Sequence, residues 1–270
     1  MLSLLLSENV IFQIDNFYSL QNEPLFVKKR LEGNQRAVKQ LSVAKKIARL
    51  LGHFPYVQAV AISGSLSKHF ADEKADIDFF IITSANRLWI ARTCMHILKK
   101  ISYIAGKQHW FCMNYFVDEM GMDIEEKNIF TAMEISTLLP MQGIDHFRNF
   151  IAANAWIYDY FPAHIISTCD AAEINKGLIR RGFEKIFNGQ AGDITDQWLM
   201  HMTDKRWKNK SAQGKVNDQG ARVGMIVNRH VSKPDPKNFQ AKVVEQYENK
   251  VKHLLEEDQH VDITYSDHFL

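Results

Sequence analysis

Apolar and polar positions along the chain change period several times. Over 34–51, Val38, Leu41, Ile47, Ala48 and Leu51 recur at helical spacing, and Gly52 and Pro55 mark the stop. Residues 57–62 form a short β-type run that ends in Ser63-Gly64-Ser65. A second such run covers 79–83, with Asp76-Ile77-Asp78 at its entrance. Over 88–105 the spacing of Ile90, Cys94, Ile97, Leu98, Ile101 and Ile104 predicts an amphipathic helix, closed by Gly106. Residues 110–117 read as a third strand, and Gly121 turns the chain into an expected fourth over 122–126. The order is helix, strand, short helix, strand, helix, strand, strand. It predicts a small mixed sheet with helices packed on it, an α/β (α+β) fold.

Beyond residue 127 the period is helical nearly throughout, with helices expected over 129–139, 144–160, 169–187, 194–208 and 238–257. Thr168 and Asp193 are the expected caps of the third and fourth. Residues 210–236, with scattered Gly, Asn, Asp and Pro, read as a long loop. The chain therefore divides into an α/β catalytic part, 1–140, and an all-helical domain, 141–270.

Composition narrows the class. Of 270 residues, 46% are hydrophobic and 24% charged, which excludes a disordered or collagen-like chain. Only 13 Gly and 6 Pro punctuate it, which favours helices over many short strands. A net charge of +2 advertises neither a nucleic acid nor a membrane as partner. Locally, 205–252 holds 12 Lys and Arg against 4 Asp and Glu, and an acidic stretch follows. Cys94, Cys112 and Cys169 are too few and too scattered for a disulfide framework, and read as reduced core residues. No apolar run approaches a membrane span, and the first residues lack a secretory pattern, so a cytoplasmic home is expected.

The informative stretch is Ser63-Gly64-Ser65-Leu66-Ser67-Lys68, followed by Asp76-Ile77-Asp78. Gly64 lets the backbone approach a ligand without a Cβ in the way. Ser65 and the amides after it stand where a strand runs into a helix, a place that suits phosphate. Asp76 and Asp78, two residues apart, share one face of a strand edge. Two adjacent carboxylates are hard oxygen ligands for a divalent cation, with substrate phosphates completing the shell. Gly-Ser alone is a common cap and Asp-x-Asp a common strand entrance; together, in strand-turn-helix-strand context, they point to phosphoryl or nucleotidyl transfer. The Gly-rich phosphate loop of nucleoside triphosphatases needs a different frame, which 64–68 lacks.

This stretch resembles the nucleotidyltransferase superfamily to which polymerase β and kanamycin nucleotidyltransferase belong. Gly64, Ser65, Asp76 and Asp78 match its pattern, and the likeness covers about 34–126. The resemblance implies Mg²⁺ at Asp76 and Asp78 in a two-metal site, and a nucleoside triphosphate, ATP among the choices, held by Gly64 and Ser65. Lys68, one turn on, is a further nucleotide contact. The implied activity is transfer of a nucleoside monophosphate to an acceptor hydroxyl, releasing pyrophosphate. The acceptor is open: a small molecule, an RNA end or a protein.

The sequence departs from the pattern at one point. The family's third carboxylate belongs on the next strand, where 110–117 holds no acid and Asn114 occupies the place. Asp118, Glu125 and Glu134 are the acids that remain to be weighed. The alternative is a catalytically impaired nucleotide-binding, regulatory or interaction module on the same fold. Arg87 is a further candidate phosphate contact, and His230, Ser232 and Lys233 in the 210–236 segment are candidates to cover the nucleotide.

Overall fold

The computed structural model describes residues 2–73, 75–104, 106, 110–166, 171–216, 224–234 and 240–252. Thr168, Cys169, His253 and the acidic tail lie outside the described residues. A short helix α1 (Leu2–Ser7) leads into an antiparallel hairpin, β1 (Phe12–Ile14) and β2 (Phe17–Ser19). Helix α2 (Pro24–Gly52) then runs ten residues earlier than its apolar period suggests, because Pro24 takes a first-turn position where a missing N–H costs nothing. Its buried face combines Val27, Ile47 and Leu51 with the small residues Gly33, Ala37, Ala44 and Ala48. A Cβ on Gly33 would stand 2.2 Å from the Phe70 ring, so glycine there permits the close approach.

The centre is a six-stranded mixed sheet in the order β6-β3-β4-β5-β8-β7. Strand β3 (Val57–Ile62) and the single-turn helix α3 (Gly64–Ser67) precede β4 (Asp78–Thr83), which runs antiparallel to β3. Helix α4 (Leu88–Ile104) crosses over to β5 (Cys112–Asp118), which is parallel to β4. Parallel neighbours require such a crossover. Both faces are covered, which is why β3 and β4 read as continuous apolar runs. Val60, Ile62, Phe79, Ile81 and Phe116 face one core, with α2 and α4. Ala59, Ala61, Phe80, Ile82 and Val117 face the other.

That second core is closed by α5 (Ile129–Ser136), α6 (Ile144–Ala153) and α7 (Ile157–Tyr160), through Ala132, Ile135, Phe147, Phe150 and Ile157. Asn128 caps α5, its side chain accepting from the Thr131 amide at 3.0 Å. Helix α8 (Leu178–Ile186) and α9 (Gln190–Ala212) pack on the first core through Phe183, Phe187, Leu199 and Met200. Residues 240–252 are helical.

Several expectations are corrected. Residues 122–126 are not a strand: Asn154, fully buried, holds this segment with its side chain, accepting from the Ile124 amide at 3.0 Å and donating to the Met122 carbonyl at 2.7 Å. The same residue ends α6, so 144–160 is two helices. The strand beside β3 is instead β6 (Leu139–Gln142), which lies between the helices expected over 129–139 and 144–160 and contains Pro140, which a sheet edge tolerates. Within the expected loop, β7 (Met225–Val227) and β8 (Val231–Pro234) form a hairpin, and β8 pairs with β5. The part beyond 140 is therefore not all-helical, and strands from both sides of that residue share one sheet. Asp193 does not precede α9 but sits in its first turn, paired with Arg87 at 2.5 Å.

Candidate functional site

The site lies where β3 ends and β4 begins, on the side of the sheet facing α5. Gly64 has φ +68°, the left-handed region, so the chain turns sharply out of β3. A Cβ there would stand 2.7 Å from Asp78 Oδ2. The Ser63 amide donates to the Asp78 carbonyl at 3.0 Å, tying the Gly-Ser turn to the first residue of β4. Glycine is thus required twice at position 64, for its backbone angle and for the carboxylate beside it. Ser65 is exposed on α3, whose single turn gives it little dipole of its own.

Asn114 reaches this point through a β-bulge. Phe79 pairs with Met113 and Phe80 with Tyr115, so Asn114 is the extra residue on β5. Bulges re-aim side chains at the rims of sheets. Here the Asn114 Nδ2 donates to Asp78 Oδ1 at 2.8 Å, and the Cys112 thiol donates to Asn114 Oδ1 at 3.1 Å. The residue in the third carboxylate's expected place therefore touches Asp78 directly.

Burial pushes the Asp78 carboxyl up to about 6, with the charges of Asp76 and Glu134 adding to the rise while Cys112 and Lys99 oppose it. Burial likewise raises the Cys112 thiol to about 12, so it stands as a neutral donor. Asp76, half-buried, precedes β4 rather than lying within it. Cys94 and Cys112 are free thiols.

Lys68 is committed to the protein. Its Nζ bonds the Gly64 carbonyl at 3.1 Å and Glu134 Oε1 on α5 at 2.9 Å. It braces the turn against α5 instead of standing open beside Ser65. Of the acids weighed for the third place, Glu134 comes nearest in effect, since its charge acts on Asp78. Asp118 is remote in role. It is fully buried and accepts from the amides of Asn86 (2.7 Å) and Met120 (2.9 Å) and from His230 Nδ1 (2.9 Å), anchoring the β7–β8 hairpin. Arg87 is equally structural, donating to the carbonyls of Phe187 (3.2 Å) and Gly189 (3.1 Å) between α8 and α9.

A cavity of about 450 Å³ opens beside Asp78, Gly64 and Asn114. Sequence reasoning missed it, because its walls come from segments far apart in the chain: Phe80 and Tyr115 from the sheet, Ile135 from α5, Phe150 from α6 and Lys233 from β8. Asp76, Ser65 and Lys68 do not line it. Phe80, Ile135 and Phe150 each read locally as ordinary core. Lys233 pairs with Glu126 at 2.5 Å and lies 5.6 Å above the Tyr115 ring. No protein-family model, curated protein or solved structure matches the chain.

Proposed function

We propose that this protein is a Mg²⁺-dependent nucleotidyltransferase that moves a nucleoside monophosphate from a nucleoside triphosphate to an acceptor hydroxyl. The observation that carries the reading is the closeness of the glycine turn to the carboxylate, with a Cβ on Gly64 only 2.7 Å from Asp78 Oδ2. Phosphate held on the Gly64-Ser65 backbone would lie next to the Asp-x-Asp pair. The strand order around the turn, with β4 antiparallel to β3 and parallel to β5, supports it.

The residues fit a hard divalent cation. Asp76 and Asp78 supply two carboxylates, and the charge of Asp76 helps hold the Asp78 carboxyl near 6, a repulsion that a cation relieves. Among the described residues no cluster of three or more His, Cys, Asp or Glu is assembled as a cage. Phosphate and water would have to complete the shell, as they commonly do where one or two carboxylates bind Mg²⁺. When bound, it would stabilise charge developing on the phosphoryl oxygens.

The chain's own residues do the positioning. Gly64 leaves the space beside Asp78, Lys68 and Glu134 fix the turn to α5, and Asn114 orients the Asp78 carboxylate. In the transfer the acceptor oxygen bonds to the α-phosphorus and the bridging P–O bond to the β-phosphate breaks. Pyrophosphate leaves with that electron pair, and the hydroxyl proton passes to solvent water.

The Asn114–Asp78 hydrogen bond also favours a second reading, a nucleotide binder without turnover, because a neutral amide neither takes a proton nor adds charge to a metal site. Pyrophosphate release separates the readings. Mg²⁺-dependent release by the wild type, lost in Asp78→Asn, supports transfer. Triphosphate binding without release for any acceptor supports the second reading. Undiminished release by folded Asp78→Asn removes the site from the reaction.

A further inference from the structure

The cavity beside Asp78 is more apolar than phosphate chemistry requires. Its walls are built from Phe80, Ile124, Phe130, Ile135, Leu138 and Phe150. Most polar groups on its lining are already engaged. Lys233 is bonded to Glu126 at 2.5 Å, Glu134 to Lys68 at 2.9 Å, and Gln240 Nε2 to Thr131 Oγ1 at 2.8 Å. Lys233 on the lining and Lys68 outside it answer Glu126 and Glu134, which leaves Asp78, held by the neutral amide of Asn114, as the remaining acidic group of the lining.

We infer that this cavity receives the acceptor, and that the acceptor is a small, largely apolar molecule, neutral or cationic, that carries one hydroxyl. The word acceptor rests on the nucleotidyl-transfer reading; the ligand class rests on the cavity alone. A volume of about 450 Å³ lies within the range of roughly 300–1,000 Å³ usual for small-molecule sites. Aromatic and aliphatic walls reward an apolar body in proportion to the area removed from water. One polar group of the ligand finds Asp78 at the acidic end, which attracts a hydroxyl or an ammonium and repels an anion.

Two other occupants fit less well. A nucleobase would bring several donors and acceptors against Phe80, Ile135, Leu138 and Phe150, and each one left unsatisfied in an apolar wall weakens binding. Of the expected triphosphate contacts, Gly64 lines the cavity, but Ser65 and Lys68 do not. The base and phosphates then lie on the exposed side of the Gly-Ser turn, with the acceptor on the buried side, and Asp78 between them.

The test uses the full chain and a neutral fluorescent probe, phenylnaphthylamine, with its anionic relative anilinonaphthalene sulfonate as the control. Saturable emission with the neutral probe, at least tenfold tighter than with the sulfonate, is expected. Filling the cavity from α5 with Thr131→Trp, or from β7 with Ile226→Trp, should weaken the neutral probe at least tenfold. Two independent variants guard against misfolding, which circular dichroism detects. Absence of saturable binding, equal binding of the sulfonate, or full binding by a folded filling variant would overturn the inference. A Mg²⁺–triphosphate melting shift, measured on the same samples, keeps the two claims apart. Its loss with probe binding intact sinks the transfer reading and spares the cavity, and the converse result sinks the cavity alone.

Discussion

At the scale of single residues, Asn114 decides most. It is the bulge residue of β5, and its amide sits 2.8 Å from Asp78. Replacing it with aspartate adds a carboxylate in contact with one that burial and Asp76 already strain. Without metal, Asn114→Asp should lower stability near neutral pH by about 1–3 kcal/mol, since like charges at contact shift each other by one or two pKa units. With Mg²⁺ that loss should be recovered, and pyrophosphate release should rise if turnover is limited by the missing acid. Urea melts with and without Mg²⁺ read the first part; an equal melt in both conditions would contradict the placement of the metal. Gly64, Ser65, Asp76 and Asp78 were legible in the sequence because their chemistry lies in one short stretch. Asn114 and Glu134 were named as candidates for the third position, but their bonds to Asp78 and Lys68 were not legible, because they lie 36 and 66 residues away.

At the scale of elements, α4 depends on a cap borrowed from α9. Asp196 Oδ1 accepts from the Ile90 amide at 2.9 Å, and burial pushes its carboxyl from 3.8 up to about 6. The folded state therefore holds the proton more tightly than the unfolded chain. Asp196's stabilising share is complete below about pH 4 and lost as pH rises through about 6, where the buried carboxylate becomes a cost. Asp196→Asn keeps the acceptor and removes the charge. It should raise stability at pH 7 by up to about 3 kcal/mol and flatten the slope between pH 4 and 6. Urea unfolding across that range checks it, and a variant less stable than wild type at pH 7 would contradict it. Strands β3 and β4, buried on both faces, and the long amphipathic helix α4 were readable within a residue or two. The strands that went unread are β1, β2, β6, β7 and β8, of three or four residues each, too short to show a period, and β6 carries Pro140. The break between α6 and α7 is set by what Asn154 bonds across the fold, which no local pattern records.

At the scale of the whole molecule, the sheet joins the two halves of the chain. β8 pairs with β5 and brings Lys233 to the cavity beside Asp78, so the later segment completes the site that the earlier motif begins. Among the described residues no helix is long and apolar enough to cross a membrane. The central claim is that Asp76 and Asp78 hold a divalent cation shared with a triphosphate. Its most direct test is the melting temperature of wild type and of Asp76→Asn/Asp78→Asn with each common nucleoside triphosphate, with and without Mg²⁺. A ligand that binds the folded state raises that temperature by mass action. The account predicts a Mg²⁺-dependent rise for at least one triphosphate, abolished in the double variant. No rise with any triphosphate, or an equal rise in the double variant, would contradict it.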